Sequence, residues 1–182
     1  CSMIAYKGFL PGLICRDYQF KMGLNVTEKA NCAQNGFHCA ENPLYCLFYY
    51  GDVRQSEYYI VDAGGDIDED NVDSKIACTE LKILRKLEID QLILHGLAYM
   101  ADHPKLPWRS QVRRNCATAC GGYAVVRGTD PIARGKMGDI LAFAKESPEG
   151  DEIEKIAISR VDGKKILPDT WYSVDWEVRL GR

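Results

Sequence analysis

The chain has 182 residues, 46% of them hydrophobic and 10% aromatic, with a formal net charge of -3 at pH 7. That composition excludes a disordered chain and supports one domain of ordinary size, or two lobes sharing a core. The acidic balance argues against a protein that coats nucleic acid through phosphate contacts.

In chain order, Met3 to Phe9 reads as a strand, and Pro11-Gly12 as a turn before further short strands at Ile14-Cys15-Arg16 and Tyr18-Gln19-Phe20. Cys1 then leads straight into a strand with no tether, which argues against a lipid-modified start, and no secretory signal or membrane-length apolar run is apparent. Gly36-Phe37-His38-Cys39 is expected to enter a corner at Ala40-Glu41, with Asn42 as N-cap and Pro43 as first residue of a helix to about Tyr50. His38 and Glu41 beside a helix start suit an anion or ligand site. The commoner role of such polar residues is capping, and that is the expected one here.

Glu57 to Val61 is rich in β-formers and predicts a buried strand. The window from Asp62 to Asp73 reads as a solvated acidic loop. Asp66, Asp68 and Asp70 mimic the first ligands of a calcium loop, but Asn71 stands where the loop needs Gly and Ala77 where it needs Glu. Lys75 to Leu87 predicts a strand, and Ile89 to Met100 a helix with Leu92, Ile93, Leu97 and Met100 on one stripe and His95 as a core histidine. From His103 to Cys116 the pattern is proline-broken and basic, with Trp108, Arg109, Arg113 and Arg114 forming either a solvated helix flank or a phosphate- or carboxylate-binding stripe; Arg109 and Arg113 share a face if the segment is helical. Glycines at 121 and 122 open a last part with strands over Met137 to Lys145, Glu152 to Val161 and Trp171 to Val178, and Asp162-Gly163 reads as a hairpin turn.

These elements predict an α+β fold: a mixed N-terminal lobe with two or three helices (1–102), a basic connecting segment (103–133) and a C-terminal antiparallel β lobe (134–182). Eight cysteines without C-x-x-C knuckles indicate reduced, mostly buried thiols of a cytoplasmic protein rather than zinc ligands or a disulfide scaffold. No metal and no cofactor is expected. The dinucleotide, phosphate-loop and nucleophile-elbow motifs are absent from the sequence. Cys39 and His38 are adjacent on a strand and point to opposite faces, which argues against a Cys–His nucleophile and for Cys39 in the core.

Over nearly its whole length the chain is similar to a family of uncharacterised phage and prophage proteins. The residues that carry this are Tyr6-Lys7-Gly8-Phe9, Cys15-Arg16, Gly36-Phe37-His38 with Glu41-Asn42-Pro43-Leu44, Asp73-Ser74-Lys75-Ile76-Ala77, Val161 to Ile166, and Pro168 to Tyr172. In many such relatives short β-solenoid-like repeats separate the two motif-bearing parts. Here the middle, from about Pro104 to Ala133, is brief and carries the basic stripe instead. In length and phage context the chain resembles the type II-A anti-CRISPR proteins. That resemblance implies a stoichiometric inhibitor of the Cas9–guide RNA complex in the cytoplasm of a bacterial host. The acidic loop from Asp62 to Asp73, with Asp66, Asp68 and Asp70, would then face the positively charged nucleic-acid channel, and the Trp108, Arg109, Arg113, Arg114 stripe would hold DNA or guide.

The order of Tyr6-Lys7-Gly8, Gly36 to Ala40 and a Tyr-ended helix also resembles that of ADP-ribosyltransferases. This second resemblance implies a pocket lined by Lys7, His38 and Tyr49, with His38 and Glu41 as candidate acid and base. The early strand lacks the expected His or Arg. Glu146 and Glu152 are candidates for the late glutamate only by elimination, so such a fold could persist as a binding module. Binding and inhibition, rather than catalysis, is the expected activity.

Overall fold

The computed structural model describes residues 2–28, 36–69, 74–108 and 111–180. The chain forms two compact units, Cys1–Leu92 and Ile93–Arg182.

In unit 1, β1 (Met3–Phe9) lies between β5 (Phe37–Ala40) and β6 (Glu57–Glu69), antiparallel to both. Both of those strands also pair with β7 (Lys75–Leu87), so the four strands close into a ring. β4 (Gly23–Val26) pairs with β7 beyond the end of β5. The closure follows from alternation: Ala5 and Phe9 of β1, Phe37 and Cys39 of β5, Tyr59, Val61 and Ala63 of β6, and Ile76, Cys78, Leu81 and Ile83 of β7 share one buried core. β2 (Ile14–Cys15) and β3 (Tyr18–Gln19) form a small hairpin whose two turn residues, Arg16 (φ 49°) and Asp17 (φ 65°), are both left-handed. Left-handed φ at both turn residues is the signature of a type I′ hairpin turn.

β6 continues past Val61 to Glu69, so Asp62, Asp66 and Asp68 lie on a strand and not in a loop. Asp70 lies outside the described residues. The strand accommodates its Gly-Gly step through a register irregularity between Gly64 and Ile67, where Gly65 takes φ +68°. A Cβ there would sit 2.1 Å from the Thr79 hydroxyl oxygen, which accepts a hydrogen bond from the Asp66 amide at 2.8 Å. Gly65→Ala is therefore expected to lower stability by about 2 kcal/mol or more through combined strain and clash. A urea titration showing a change below about 0.5 kcal/mol would contradict this.

Helices are few. α1 (Tyr45–Tyr49) is one short turn preceded by an Asx-type contact in which Asn42 Oδ1 accepts from the Leu44 amide at 3.1 Å. Asn42 thus caps the turn before the helix, while the helix itself begins after Leu44. α2 (Ile89–Asp102) has Leu92, Ile93, Leu97 and Met100 buried, as its stripe predicts, with His95 half-buried. Among the described residues strands outnumber helices thirteen to two. The α+β expectation with two or three helices in one lobe is thus overturned, and the fold is mostly β. Residues 62–69 of the window read as an acidic loop are strand, held by pairing with β7.

Unit 2 departs from expectation in a second way. β8 (Val112–Thr118), β9 (Tyr123–Arg134) and β10 (Ile140–Glu146) run parallel, with Val112 opposite Val125 and Val125 opposite Ala142. The β8–β9 ladder breaks at Asn115 (φ 69°) and resumes with Cys116 opposite Ile132. The consecutive strands β8, β9 and β10 thus lie side by side in parallel, with β9 in the middle. Val126 lies beside Phe143 and Ala124 beside Leu141, giving an apolar column inside the rungs. β11 (Ile153–Arg160) pairs antiparallel with β10, and β12 (Trp171–Ser173) antiparallel with both β9 and β13 (Val178–Arg179). The sheet is mixed: strands within 134–182 pair antiparallel with one another, the parallel pairings run through β9 in the segment read as a connector, and the segment at Arg113 is strand rather than helix.

Asp162 does not open a two-residue hairpin. Its Oδ1 accepts from the amides of Lys164, Lys165 and Ile166 at 2.8, 2.9 and 3.0 Å and organises the loop between β11 and β12. These amides, Ile166 foremost, hold its carboxyl below the ordinary carboxylate value. A lowered folded-state value means stability present above the unfolded value and lost as pH falls through the folded one. Acidification below about pH 3.8 should therefore destabilise the wild-type chain more steeply than Asp162→Asn. Parallel acid curves for the two proteins would contradict the assignment.

Candidate functional site

Unit 1 contains a cavity of about 250 Å³ lined by Tyr6, Lys7, Gly8, Cys15, Arg16, His38, Cys39, Ala40, Cys46, Tyr49, Tyr50 and Lys75. Register explains the gathering. Tyr6 of β1 lies opposite Ala40 of β5, and Ala40 opposite Lys75 of β7, so one row across three strands forms a wall. The Arg16-Asp17 turn brings in Cys15 and Arg16, and α1 supplies Cys46 and Tyr49. At Gly8 the backbone passes close to Tyr50, and an added Cβ would sit 2.7 Å from the ring.

Lys7 is the unusual member. It is 6% exposed. Its Nζ donates to the His38 carbonyl oxygen at 2.5 Å and approaches Cys15 Sγ at 3.5 Å. The ammonium also lies 5.4 and 5.3 Å from the ring centres of Phe9 and Phe20, within cation–π reach. No described residue forms an ion pair with it. Burying an ammonium without a counter-charge costs several kcal/mol, only partly offset by such contacts.

Four of the surrounding thiols and phenols are held toward their neutral forms. Burial pushes the Cys46 thiol up to about 12, against the pull of Lys7. Cys39 is raised by its hydrogen bond with Cys78 and by burial. Tyr50 is raised by burial and by its contact with Cys15 Sγ at 2.9 Å, and Tyr6 is raised by burial. At the rim, Lys75 Nζ lies 5.8 Å from the Tyr49 ring centre.

Three residues suggested by the ADP-ribosyltransferase resemblance, Lys7, His38 and Tyr49, therefore line one cavity. Glu41 is exposed and does not line it. Glu146 is buried in unit 2, where Arg127 Nε and Arg114 Nη1 donate to its Oε1 at 3.0 and 3.1 Å, and Glu152 is exposed. Among the described residues no carboxylate lines the cavity. Cys15, Arg16 and Lys75 were not singled out as site residues, although each stands within a motif that marked the family resemblance.

Among the described residues, Trp108 and Arg114 come together, and Arg113 points to the other face of the strand. Asp66 and Asp68 are exposed on β6. Arg109 lies outside the described residues. Trp108 is half-buried between two guanidiniums, with Arg114 and Arg127 at 4.8 and 4.2 Å from its ring centre. This part of the stripe is thus engaged within unit 2. Sequence reading missed Arg127, which is 1% exposed and also donates to the Pro104 carbonyl at 2.7 Å.

Cys15, Cys39, Cys46, Cys78, Cys116 and Cys120 are free thiols. Among the described residues no group of three or more His, Cys, Asp and Glu is placed to hold a metal, and no helix is long and apolar enough to cross a membrane.

Unit 1 is thus a small closed β structure with a cation-lined pocket. The chain belongs to a family described as a domain of unknown function, DUF7666, whose match runs over residues 3–95 and includes every residue lining the cavity. Neither the comparison with curated proteins nor that with solved structures gives a match.

Proposed function

We propose that unit 1 is a small-molecule-binding module that uses the Lys7 cavity and does not carry out group transfer. The observation that supports this is the gathering of Lys7, His38 and Tyr49 around one cavity that no described carboxylate lines. A transferase of the kind the sequence resembles needs a carboxylate to orient its ribose; cations and phenols alone suit binding. The test is a ligand-detected NMR screen of neutral, anionic and cationic fragments on the full chain, repeated on Gly8→Leu, whose side chain would crowd the cavity against Tyr50. Hits that disappear in the variant are expected; hits indifferent to it would place binding elsewhere. Nicotinamide release from NAD should not exceed the buffer rate. Release abolished by His38→Ala would overturn the non-catalytic reading and favour an active transferase.

A second reading is favoured by the exposure of Asp66, Asp68 and Glu69 in succession on β6, a solvated negative edge suited to a positive partner surface. On this reading the chain binds and inhibits the Cas9–guide RNA complex, in the cytoplasm of a bacterial host. Saturable inhibition of target cleavage near one-to-one stoichiometry, weakened about tenfold or more by Asp66→Asn/Asp68→Asn, is the expected result. Unaltered cleavage at excess protein would exclude it.

A further inference from the structure

We infer that the ligand of the unit 1 cavity is a phosphate monoester of an aromatic or heteroaromatic compound, with its phosphate neutralising Lys7. The inference rests on the small-molecule reading above. The Lys7 ammonium is buried, bonds to a carbonyl oxygen and a sulfur, and pairs with no described carboxylate, while burial holds the thiol of Cys46 and the phenols of Tyr6 and Tyr50 neutral. A bound anion supplies a counter-charge that no described residue provides.

Charge number and geometry point to phosphate rather than a single carboxylate. Arg16 lines the same cavity as Lys7, and a dianion matches two cations where a monoanion does not. Arg16 also occupies a left-handed position, φ 49°, where an L side chain other than Asn or Asp is strained. Arginine held at such a place is consistent with a side chain retained for what it contacts. The aromatic portion follows from the remaining walls. Tyr6, Tyr49 and Tyr50 line a cavity of about 250 Å³, larger than a bare phosphate fills and suited to a planar ring.

The test is calorimetric titration of the full chain with phenyl phosphate, phenol and inorganic phosphate. Phenyl phosphate should bind at least about tenfold more tightly than either of the other probes, with affinity falling as salt rises. Lys7→Met should weaken it by about tenfold or more, and Arg16→Asn, which suits the turn and keeps the fold, by about fivefold. Equal binding of phenol overturns the phosphate while leaving the small-molecule reading intact. Equal binding of inorganic phosphate overturns the aromatic portion. Phenyl phosphate binding that survives both substitutions places the anion elsewhere and overturns the inference. Failure of all three probes to bind does so too, and the small-molecule reading falls with it only if the fragment screen is also empty.

Discussion

Replacing Arg127 by Met is expected to destabilise unit 2 by about 3–5 kcal/mol, the characteristic penalty for leaving one partner of a buried ion pair uncompensated. Arg127 is 1% exposed and Glu146 4% exposed, and the two meet at 3.0 Å. The same guanidinium bonds the Pro104 carbonyl and covers the Trp108 ring, so the substitution also frees the chain preceding β8. Arg114, whose side chain is 53% exposed, cannot replace it, and Arg114→Ala should cost no more than about 1 kcal/mol. Urea denaturation followed by Trp fluorescence measures both. The double variant Arg127→Met/Glu146→Leu should recover most of the loss, because a buried pair replaced by apolar groups is often neutral. A single-variant loss below about 1 kcal/mol, or a double variant no better than the single, would show that this pair does not anchor the unit.

The second large effect concerns Lys7, where stability and binding should separate. Lys7→Met removes a buried ammonium with no ion-pair partner among the described residues, but leaves the His38 carbonyl without its 2.5 Å donor. The relief of desolvation outweighs the loss of one hydrogen bond and the cation–π contacts, so the variant should be at least as stable as wild type. Phenyl phosphate binding in the cavity should weaken by about tenfold or more. Such separation marks a residue kept for function at no gain in stability. A variant destabilised by about 3 kcal/mol or more would instead make Lys7 a structural member of the core.

The sequence made part of this legible. The apolar stripe of α2 and the alternation of β7 are local patterns, and both elements form where their periodicity places them. Asp62 to Glu69 is different: glycines and aspartates read as a loop, and the segment is a strand because Ala63, Gly64 and Ile67 pair with Leu81, Glu80 and Cys78. Arg113 and Arg114 likewise suggest a charged helix face until Val126 and Arg127 pair beside them as a parallel rung. Parallel pairing leaves no local signature of the kind a hairpin turn provides. Within the site, Lys7, His38 and Tyr49 were approachable through the order of motifs. Cys15 and Arg16 reach the cavity through a type I′ turn whose Arg-Asp pair lacks the usual Asn-Gly signal, and Lys75 through the β5–β7 register, a contact between residues far apart in the chain. Arg127 escaped notice because a lone arginine between Val126 and Gly128 carries no sign of its burial or of Glu146.

The most direct measurement is a two-dimensional amide NMR titration of the full chain with phenyl phosphate. If the unit 1 cavity is the ligand site, saturable shifts should concentrate on Lys7, Gly8, Cys15, Arg16, His38 and Lys75 and weaken in Lys7→Met. Shifts confined to the acidic edge of β6 or to the surroundings of Trp108, with the cavity amides unmoved by this and every other probe, would contradict a binding module built on Lys7.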